Sequence, residues 1–136
     1  TLHNTLFPYT TLFRSCRAVG VPVAVVSSSP VAWIDIVRDR FDLLVDAVVS
    51  GDDFDGAGKP APDLYEHAAA ELGVAPAATV AVEDSVHGIV AARDAGMTVV
   101  GFRFGDDHGT RFDDAHHAPA DPAALHATLR DLLGLG

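Results

Sequence analysis

The stretch Thr79-Val-Ala-Val-Glu-Asp-Ser-Val-His-Gly88 decides the fold. Within it, the pattern of apolar residues changes from that of a strand to that of a helix. Its first part, Thr79–Val82, is a short run rich in β-branched residues, which is typical of a strand buried on both faces. The acids Glu83 and Asp84 follow directly, and Val86–Ala95 then has the pattern of a helix. A strand, a polar turn and a helix in this order indicate one unit of an α/β fold.

The same alternation of strand and helix continues on both sides of this stretch. Further strands are expected at Val21–Val26, Ala47–Ser50 and Thr98–Phe102, and further helices at Val31–Arg40, Pro62–Leu72 and Ala123–Leu133. We expect Ser29 to cap the first of these helices. Trp33, Ile34 and Val37 would form the apolar side of that helix. The spacing predicts an α/β fold with a parallel sheet and flanking helices.

Composition and charge narrow the possible functions. The 136 residues suit one domain, and 19 acidic against 9 basic residues give a formal net charge of −10. This acidic balance argues against binding to nucleic acid or to anionic membranes. The one cysteine, Cys16, cannot form an intrachain disulfide and favours a reducing compartment. Because there is neither an apolar run long enough for a membrane span nor a signal-peptide pattern, we expect a soluble, cytoplasmic protein.

Polar residues follow three different predicted strands, and each has a use in phosphoryl transfer. The Ser27 hydroxyl can donate a hydrogen bond to a phosphoryl oxygen, and Lys59 can hold the anionic phosphate beside a carboxylate. The adjacent acids Glu83 and Asp84 can hold a hard divalent cation such as Mg²⁺. Taken alone, each residue also has an ordinary structural explanation as a turn serine, a solvated lysine or a helix cap.

Several pieces of the sequence, in their order along the chain, resemble the haloacid dehalogenase-like superfamily in its phosphatase and β-phosphoglucomutase-like branch. They are Val23-Ala-Val-Val-Ser-Ser-Ser-Pro30, Val49-Ser-Gly-Asp-Asp53, Gly58-Lys-Pro-Ala-Pro-Asp63, and Val82-Glu-Asp-Ser-Val-His-Gly88 with Ala91-Ala-Arg-Asp-Ala-Gly-Met97. The resemblance covers about residues 16–104. It implies a Rossmann-like core and phosphoryl transfer on a small phosphorylated metabolite, by a phosphatase or a phosphomutase.

The resemblance also assigns roles to residues of this chain. Ser27 and Lys59 match the family's catalytic second and third motifs, and both would bind the substrate phosphate. The backbone N–H of Ser28 is a weaker candidate for the same phosphate. Asp84, with Glu83, matches the fourth motif and would hold Mg²⁺ as the cofactor.

One part of the family's pattern is absent. The family begins with a strand ending in Asp-x-Asp, whose first Asp attacks phosphorus, whereas the first aspartate of this chain is Asp35, after Ser27. The cap that selects the substrate, normally located between those motifs, is missing too. Residues 5–15 instead resemble a translated sequencing adapter. We therefore expect an artefactual segment at 1–15, a partial core domain at 16–136, and a chain that is inactive by itself.

The same departure leads to two expectations about structure. Residues 10–19 carry Leu12, Cys16 and Val19 at helical spacing, with Gly20 as a stop signal, which predicts a helix packed against the sheet. In the family's strand order, the missing strand would lie between the first and third strands predicted here. The resemblance therefore implies a gap in the centre of the sheet.

Other functions remain alternatives at this point. A receiver-like phospho-acceptor module also uses acids, a hydroxyl and a lysine on a parallel sheet, but it places its acids first and its lysine last. A non-enzymatic truncated fragment is the other alternative. The acids and histidines of Asp106–His108 and Asp113–His117 could suggest a second metal site, but their spacing favours a solvated loop. Substrate identity, hydrolase or mutase activity and oligomeric state stay open.

Overall fold

The computed structural model describes residues 11–103, 105 and 112–135. Its strands are β1 (Ala24–Ser27), β2 (Ala47–Ser50), β3 (Val80–Glu83) and β4 (Thr98–Gly101). Its helices are α1 (residues 11–18), α2 (Val31–Phe41), α3 (Asp63–Leu72), α4 (Val86–Asp94) and α5 (Pro122–Leu132), with a 3₁₀ turn at Pro76–Ala78. The alternation confirms the α/β class that the sequence predicts.

The strands form two separate parallel pairs and not one continuous sheet. β1 pairs with β2, with Ala24 opposite Ala47, and β3 pairs with β4, with Val80 opposite Thr98. Within the described residues, no ladder joins β1 to β3. The sheet is therefore interrupted between its first and third strands, as the resemblance implies.

Short polar and glycine signals explain where several helices begin and end. The Asp121 side chain accepts a hydrogen bond from the Ala124 N–H at 2.7 Å and caps α5. Ser85 caps α4 in the same way, with the Gly88 N–H as donor at 3.1 Å. Gly73 ends α3 with a φ of 69°, a left-handed conformation that costs glycine little. The cap at Ser85 places the end of β3 directly before a helix N-terminus.

Helix α2 differs from the sequence expectation in its cap and in its buried side. The cap residue is Pro30 and not Ser29, and no side chain caps the helix. Ile34 is buried, but Trp33 is 63% exposed and Val37 is exposed as well. Of the three residues expected on the apolar side of this helix, Ile34 alone packs into the described core. The pattern is present, but most of it faces away from the described core.

Residues 11–18, which begin within the segment that resembles adapter sequence, form the expected helix α1. Leu12 and Cys16 are buried and join the core cluster formed with β4 and α5. Val19 lies in the turn after α1 and is exposed, so the buried stripe ends one turn earlier than predicted. Gly20 follows with a φ of 76°. The expected start at residue 10 lies outside the described residues.

Helices pack on both faces of the strand pairs. Tyr65 of α3 and Ile89 of α4 share one core cluster with Val99. Leu125 of α5 shares the other with Val100. Because successive residues of a strand point to opposite faces, β4 contributes to both clusters. In the part of the chain that the structure describes, no helix has both the length and the apolar character to cross a membrane.

Candidate active site

A cleft of about 550 Å³ opens at the carboxyl ends of β1 and β3. Its lining includes Ser27 and Ser28 at the end of β1, Lys59 from the loop before α3, and Glu83 and Asp84 at the end of β3. The structure thus brings together every residue that the sequence singles out for phosphate or metal binding. This edge is where the loops of parallel α/β sheets usually form a site.

The loop after β1 is tied to the loop after β2. Ser27 Oγ accepts a hydrogen bond from the Ser29 N–H at 3.0 Å, and Ser50 Oγ donates to the Ser29 carbonyl at 2.7 Å. Gly51 allows the loops to approach, because a Cβ there would lie 3.3 Å from the Ser28 Cα. Since Ser27 Oγ already accepts a hydrogen bond, its O–H can be donated to an anionic oxygen.

Lys59 places a cation between β1 and β3. Its Nζ donates to the Val26 carbonyl at 3.3 Å and also to the Glu83 carboxylate. The Lys59 side chain is 12% exposed and that of Glu83 is 6% exposed, so the solvent screens this ion pair little. Each side chain therefore holds the other in place inside the cleft.

Glu83 is held by a second donor, the hydroxyl of Tyr65 from α3. The Tyr65 hydroxyl and Lys59 Nζ both donate to the same carboxylate oxygen, Glu83 Oε1. Burial raises the pKa of Tyr65 above its usual range, and the negative charge of Glu83 raises it further. The phenol therefore stays protonated at neutral pH and remains a hydrogen-bond donor to Glu83.

Gly88, in the first turn of α4, makes room for this carboxylate. A Cβ on Gly88 would overlap both oxygens of the Glu83 carboxylate. The absence of a side chain at this position therefore lets Glu83 lie against α4 while Oε1 reaches its two donors.

We expect Gly88→Ala to lower the free energy of unfolding by about 1–3 kcal/mol, because overpacking outweighs the helix preference of alanine. Urea unfolding followed by far-UV circular dichroism measures the change. Gly58→Ala is the matched control, since nothing lies within 4 Å of a Cβ there. If both variants unfold at the same urea concentration, the Glu83 carboxylate is free to move aside and the packing argument is wrong.

Asp84 lies at the junction of β3 and α4 and is exposed. Arg103, which follows β4, donates from Nη2 to the main-chain carbonyl of Asp84 at 3.2 Å. This contact brings a second cation close to the Asp84 backbone, outside the lining of the cleft. The arrangement leaves Asp84 accessible to a ligand that arrives from solvent.

The two acids fit one particular mode of metal binding. Across the described ranges, no group of three or more His, Cys, Asp or Glu side chains forms a cage for a metal ion. Mg²⁺ often binds through one or two carboxylates and keeps waters and substrate oxygens as its other ligands, which the donor set of Glu83 and Asp84 allows. Asp84 is the more available of the two, because Glu83 Oε1 already accepts from two donors.

Sequence reasoning missed Tyr65, Gly88 and Arg103. Tyr65 lies among the apolar residues of α3, and its hydroxyl contact with Glu83 depends on how α3 packs on β3. Gly88 offered a signal that went unused: glycine is unfavourable inside a helix, so its presence there suggests a close neighbour. Nothing in the local pattern marks Arg103, because its contact crosses from the end of β4 to the end of β3.

The acidic and histidine-rich segment between β4 and α5 (residues 106–117) was considered above as a possible second metal site. Its described residues make structural contacts with β4 and α4 instead. The Val99 N–H donates to His116 Nδ1 at 2.9 Å. Asp114 pairs with Arg93 at 2.7 Å on the surface. These contacts join the segment to β4 and α4. Asp106–His108 lie outside the described residues.

Comparisons with known proteins identify the family to which this chain belongs. The haloacid dehalogenase-like hydrolase family matches residues 2–96. Hexitol phosphatase B of Escherichia coli is 39% identical over 84 residues, which cover 60% of this chain and 37% of that protein. Phosphoglycolate phosphatase of Escherichia coli is 29% identical over 131 residues, which cover 94% of this chain and 50% of that protein.

A solved structure supports the fold along most of the chain. A HAD family hydrolase from Deinococcus radiodurans R1, with bound phosphate and sodium, has a TM-score of 0.80 and 31% identity, and the match covers 94% of this chain and 59% of that chain. Fold and site together define a parallel α/β domain with polar groups gathered at its carboxyl edge. The chain belongs to the haloacid dehalogenase-like hydrolase family. It spans 37% to 50% of the length of the two Escherichia coli phosphatases.

Proposed function

We propose that this chain carries the phosphate-binding and metal-binding part of an Mg²⁺-dependent phosphatase or phosphomutase. The supporting observation is the convergence of Ser27, Lys59 and Asp84 on one cleft. A hydroxyl donor, a cation and a carboxylate are the groups that phosphoryl transfer requires from a protein that positions phosphate beside a metal ion. Membership in a hydrolase family supports the same reaction class.

Ser27 would donate its O–H to one phosphoryl oxygen, and the N–H of Ser28 would serve a second. Lys59 would neutralise charge on the phosphoryl group, and its contact with Glu83 fixes where that charge lies. A local cation is needed because the chain has a net charge of −10, which repels anionic substrates at longer range.

Asp84, together with Glu83, would hold Mg²⁺, which when bound would neutralise charge on the phosphoryl oxygens. In this proposal Glu83 also has a positioning role, because its Oε1 accepts hydrogen bonds from Lys59 and Tyr65. Its Oε2 lies against Gly88. Asp84 would therefore be the main protein ligand, and Glu83 would contribute mainly by keeping the cation of Lys59 in the cleft.

The substrate class that we propose is a small phosphorylated metabolite. The relatives described above are a hexitol phosphatase and a phosphoglycolate phosphatase. A cleft of about 550 Å³ is in the size range of small-molecule sites. An acidic chain with a cleft of this size suits a compact phosphate ester better than a nucleic acid.

Binding of inorganic phosphate, followed by calorimetry with and without Mg²⁺, tests the proposal without requiring turnover. We expect Mg²⁺ to strengthen phosphate binding, and we expect Asp84→Asn to remove that enhancement. Ser27→Ala should weaken binding about tenfold or more, because a hydrogen bond to an anion is lost.

Two matched controls accompany these variants. Ser28→Ala keeps the backbone N–H that we assign to phosphate, so it should bind as the unmodified chain does. Asp114→Asn removes a carboxylate that pairs with Arg93 away from the cleft, and it should keep the Mg²⁺ effect. Phosphate binding that is indifferent to Mg²⁺ and to both Ser27→Ala and Asp84→Asn would refute the proposed site.

A further inference from the structure

Arg103 places a second cation at the rim of the cleft. The residue before it, Phe102, lines the cleft, and so does its hydrogen-bond partner Asp84. Arg103 Nη2 donates to the main-chain carbonyl of Asp84 at 3.2 Å, while the side chain remains exposed. A guanidinium has several N–H donors, and this contact uses one of them. The guanidinium is therefore held beside the end of β3 with donors left for a ligand.

The charges of Arg103 and Lys59 are balanced in different ways. Lys59 is paired with the carboxylate of Glu83 inside the protein. Arg103 donates to a carbonyl, which carries no net charge, and it forms no ion pair with any acidic residue that the structure describes. The positive charge of Arg103 is therefore available to an anion that arrives from solvent.

Other arginines lie far from this edge of the sheet. Arg38 and Arg40 belong to the last turn of α2, and Arg93 belongs to the last turn of α4. Both helices begin just after a strand that ends at the cleft, so their last turns lie at the opposite edge. Arg103 differs from these residues because it brings positive charge to the edge that carries the candidate site, in a chain whose net charge is −10.

We propose that Arg103 binds a carboxylate of the substrate, so that the preferred ligands are small phosphate esters that also carry a carboxyl group. The inference rests on the proposed function, in which Ser27 and Lys59 hold the phosphate of the same molecule. The planar guanidinium can donate two parallel hydrogen bonds to a carboxylate. A second phosphate would also fit these donors, but its larger negative charge is less favourable beside an acidic chain.

The expected preference is modest and sensitive to salt. Arg103 is exposed, so water and ions screen its attraction to a carboxylate. At low salt we expect a carboxylate-bearing ester to bind about fivefold more tightly than a neutral ester of the same shape. Added sodium chloride should reduce this ratio of affinities.

The test measures ligand binding to the full chain by calorimetry, with Mg²⁺ present. One ligand pair consists of the terminal phosphate esters of glycerate and glycerol, in which a carboxylate replaces a hydroxymethyl group. A longer pair consists of the phosphate esters of γ-hydroxybutyrate and the corresponding diol. Two lengths are used because the span from the phosphate to Arg103 decides which carboxylate reaches it. At least one carboxylate ester should bind more tightly than its neutral partner.

Variants identify the residue that is responsible. Arg103→Met should bring the ratio of affinities close to one, and Arg103→Lys should keep part of the preference, because an ammonium retains the charge but loses the planar donors. Comparing the ratio within each variant cancels any general effect of the substitution on the phosphate site. Arg93→Met is the matched control and should keep the full ratio, because Arg93 pairs with Asp114 away from the cleft.

The outcomes separate this inference from the proposed function. If inorganic phosphate binds with Mg²⁺ but the esters of both pairs bind equally, the role of Arg103 is wrong and the phosphate site stands. A preference that persists in Arg103→Met would assign the carboxylate to another group and also overturn the inference. A larger Arg103-dependent preference for the bisphosphate of the diol would show that the second group is a phosphate. If inorganic phosphate does not bind at all, the proposed function and this inference fail together.

Discussion

Lys59→Met is expected to lower the free energy of unfolding by about 3–5 kcal/mol, because it leaves the buried Glu83 carboxylate without its counter-charge. The Glu83 side chain is 6% exposed, so water cannot easily replace the lysine. Native domains usually retain only about 5–15 kcal/mol, so a loss of this size would leave the chain close to unfolding. Urea unfolding of the variant and of the unmodified chain, followed by circular dichroism, measures the difference.

Two further variants separate this effect from a general loss of charge. Lys59→Met combined with Glu83→Gln removes both charges and should recover much of the lost stability. Arg93→Met breaks the exposed pair with Asp114 and should cost less than about 1 kcal/mol. If Lys59→Met costs no more than Arg93→Met, the ion pair does not hold the cleft together.

The second prediction concerns catalysis. We expect the 136-residue chain to show no Mg²⁺-dependent hydrolysis of para-nitrophenyl phosphate. Among the described residues, the acids that line the cleft are Glu83 and Asp84. Glu83 is bound to Lys59 and Tyr65, and we assign Asp84 to the metal ion, so neither is available to attack phosphorus. Loss of a nucleophile from a set of groups that act together lowers kcat by several orders of magnitude.

The turnover assay is interpretable because phosphate binding is measured on the same preparation. If the chain binds inorganic phosphate in the presence of Mg²⁺ but does not hydrolyse the ester, it contains the phosphate-binding site and lacks the nucleophile. Turnover that requires Mg²⁺, saturates with ester and disappears in Asp84→Asn would contradict the prediction. In that case the nucleophile would have to be sought among other residues of the chain.

The class of fold and the clustering of the candidate site residues at one sheet edge were predictable from local patterns. Runs of β-branched residues specify buried strands, and a polar residue after each strand must lie at the same sheet edge when the strands are parallel. Ser27, Lys59 and Asp84 are therefore expected at one edge of the sheet, and they line one cleft there. The gap between β1 and β3 followed from the family resemblance and not from periodicity.

The features that escaped prediction depend on contacts between distant parts of the chain. The hydrogen bonds that Glu83 accepts from Lys59 and Tyr65 depend on how α3 packs against β3. The helical spacing of apolar residues in α2 was real, but spacing alone does not say which face of a helix meets the core. Trp33 accordingly lies outside the described core, although it shares the apolar side of α2 with Ile34.

The exposure of Trp33 has a practical consequence for spectroscopy. It is the one tryptophan of the chain, and with 63% of its surface exposed its emission should resemble that of indole in water already in the native state. Fluorescence would therefore report little of the loss of the core on denaturation. Acrylamide should quench this emission readily, whereas iodide should be less effective because the chain carries a net charge of −10. A shift to shorter wavelength in any mixture would then signal that another surface has covered α2, which makes Trp33 an intrinsic reporter of association.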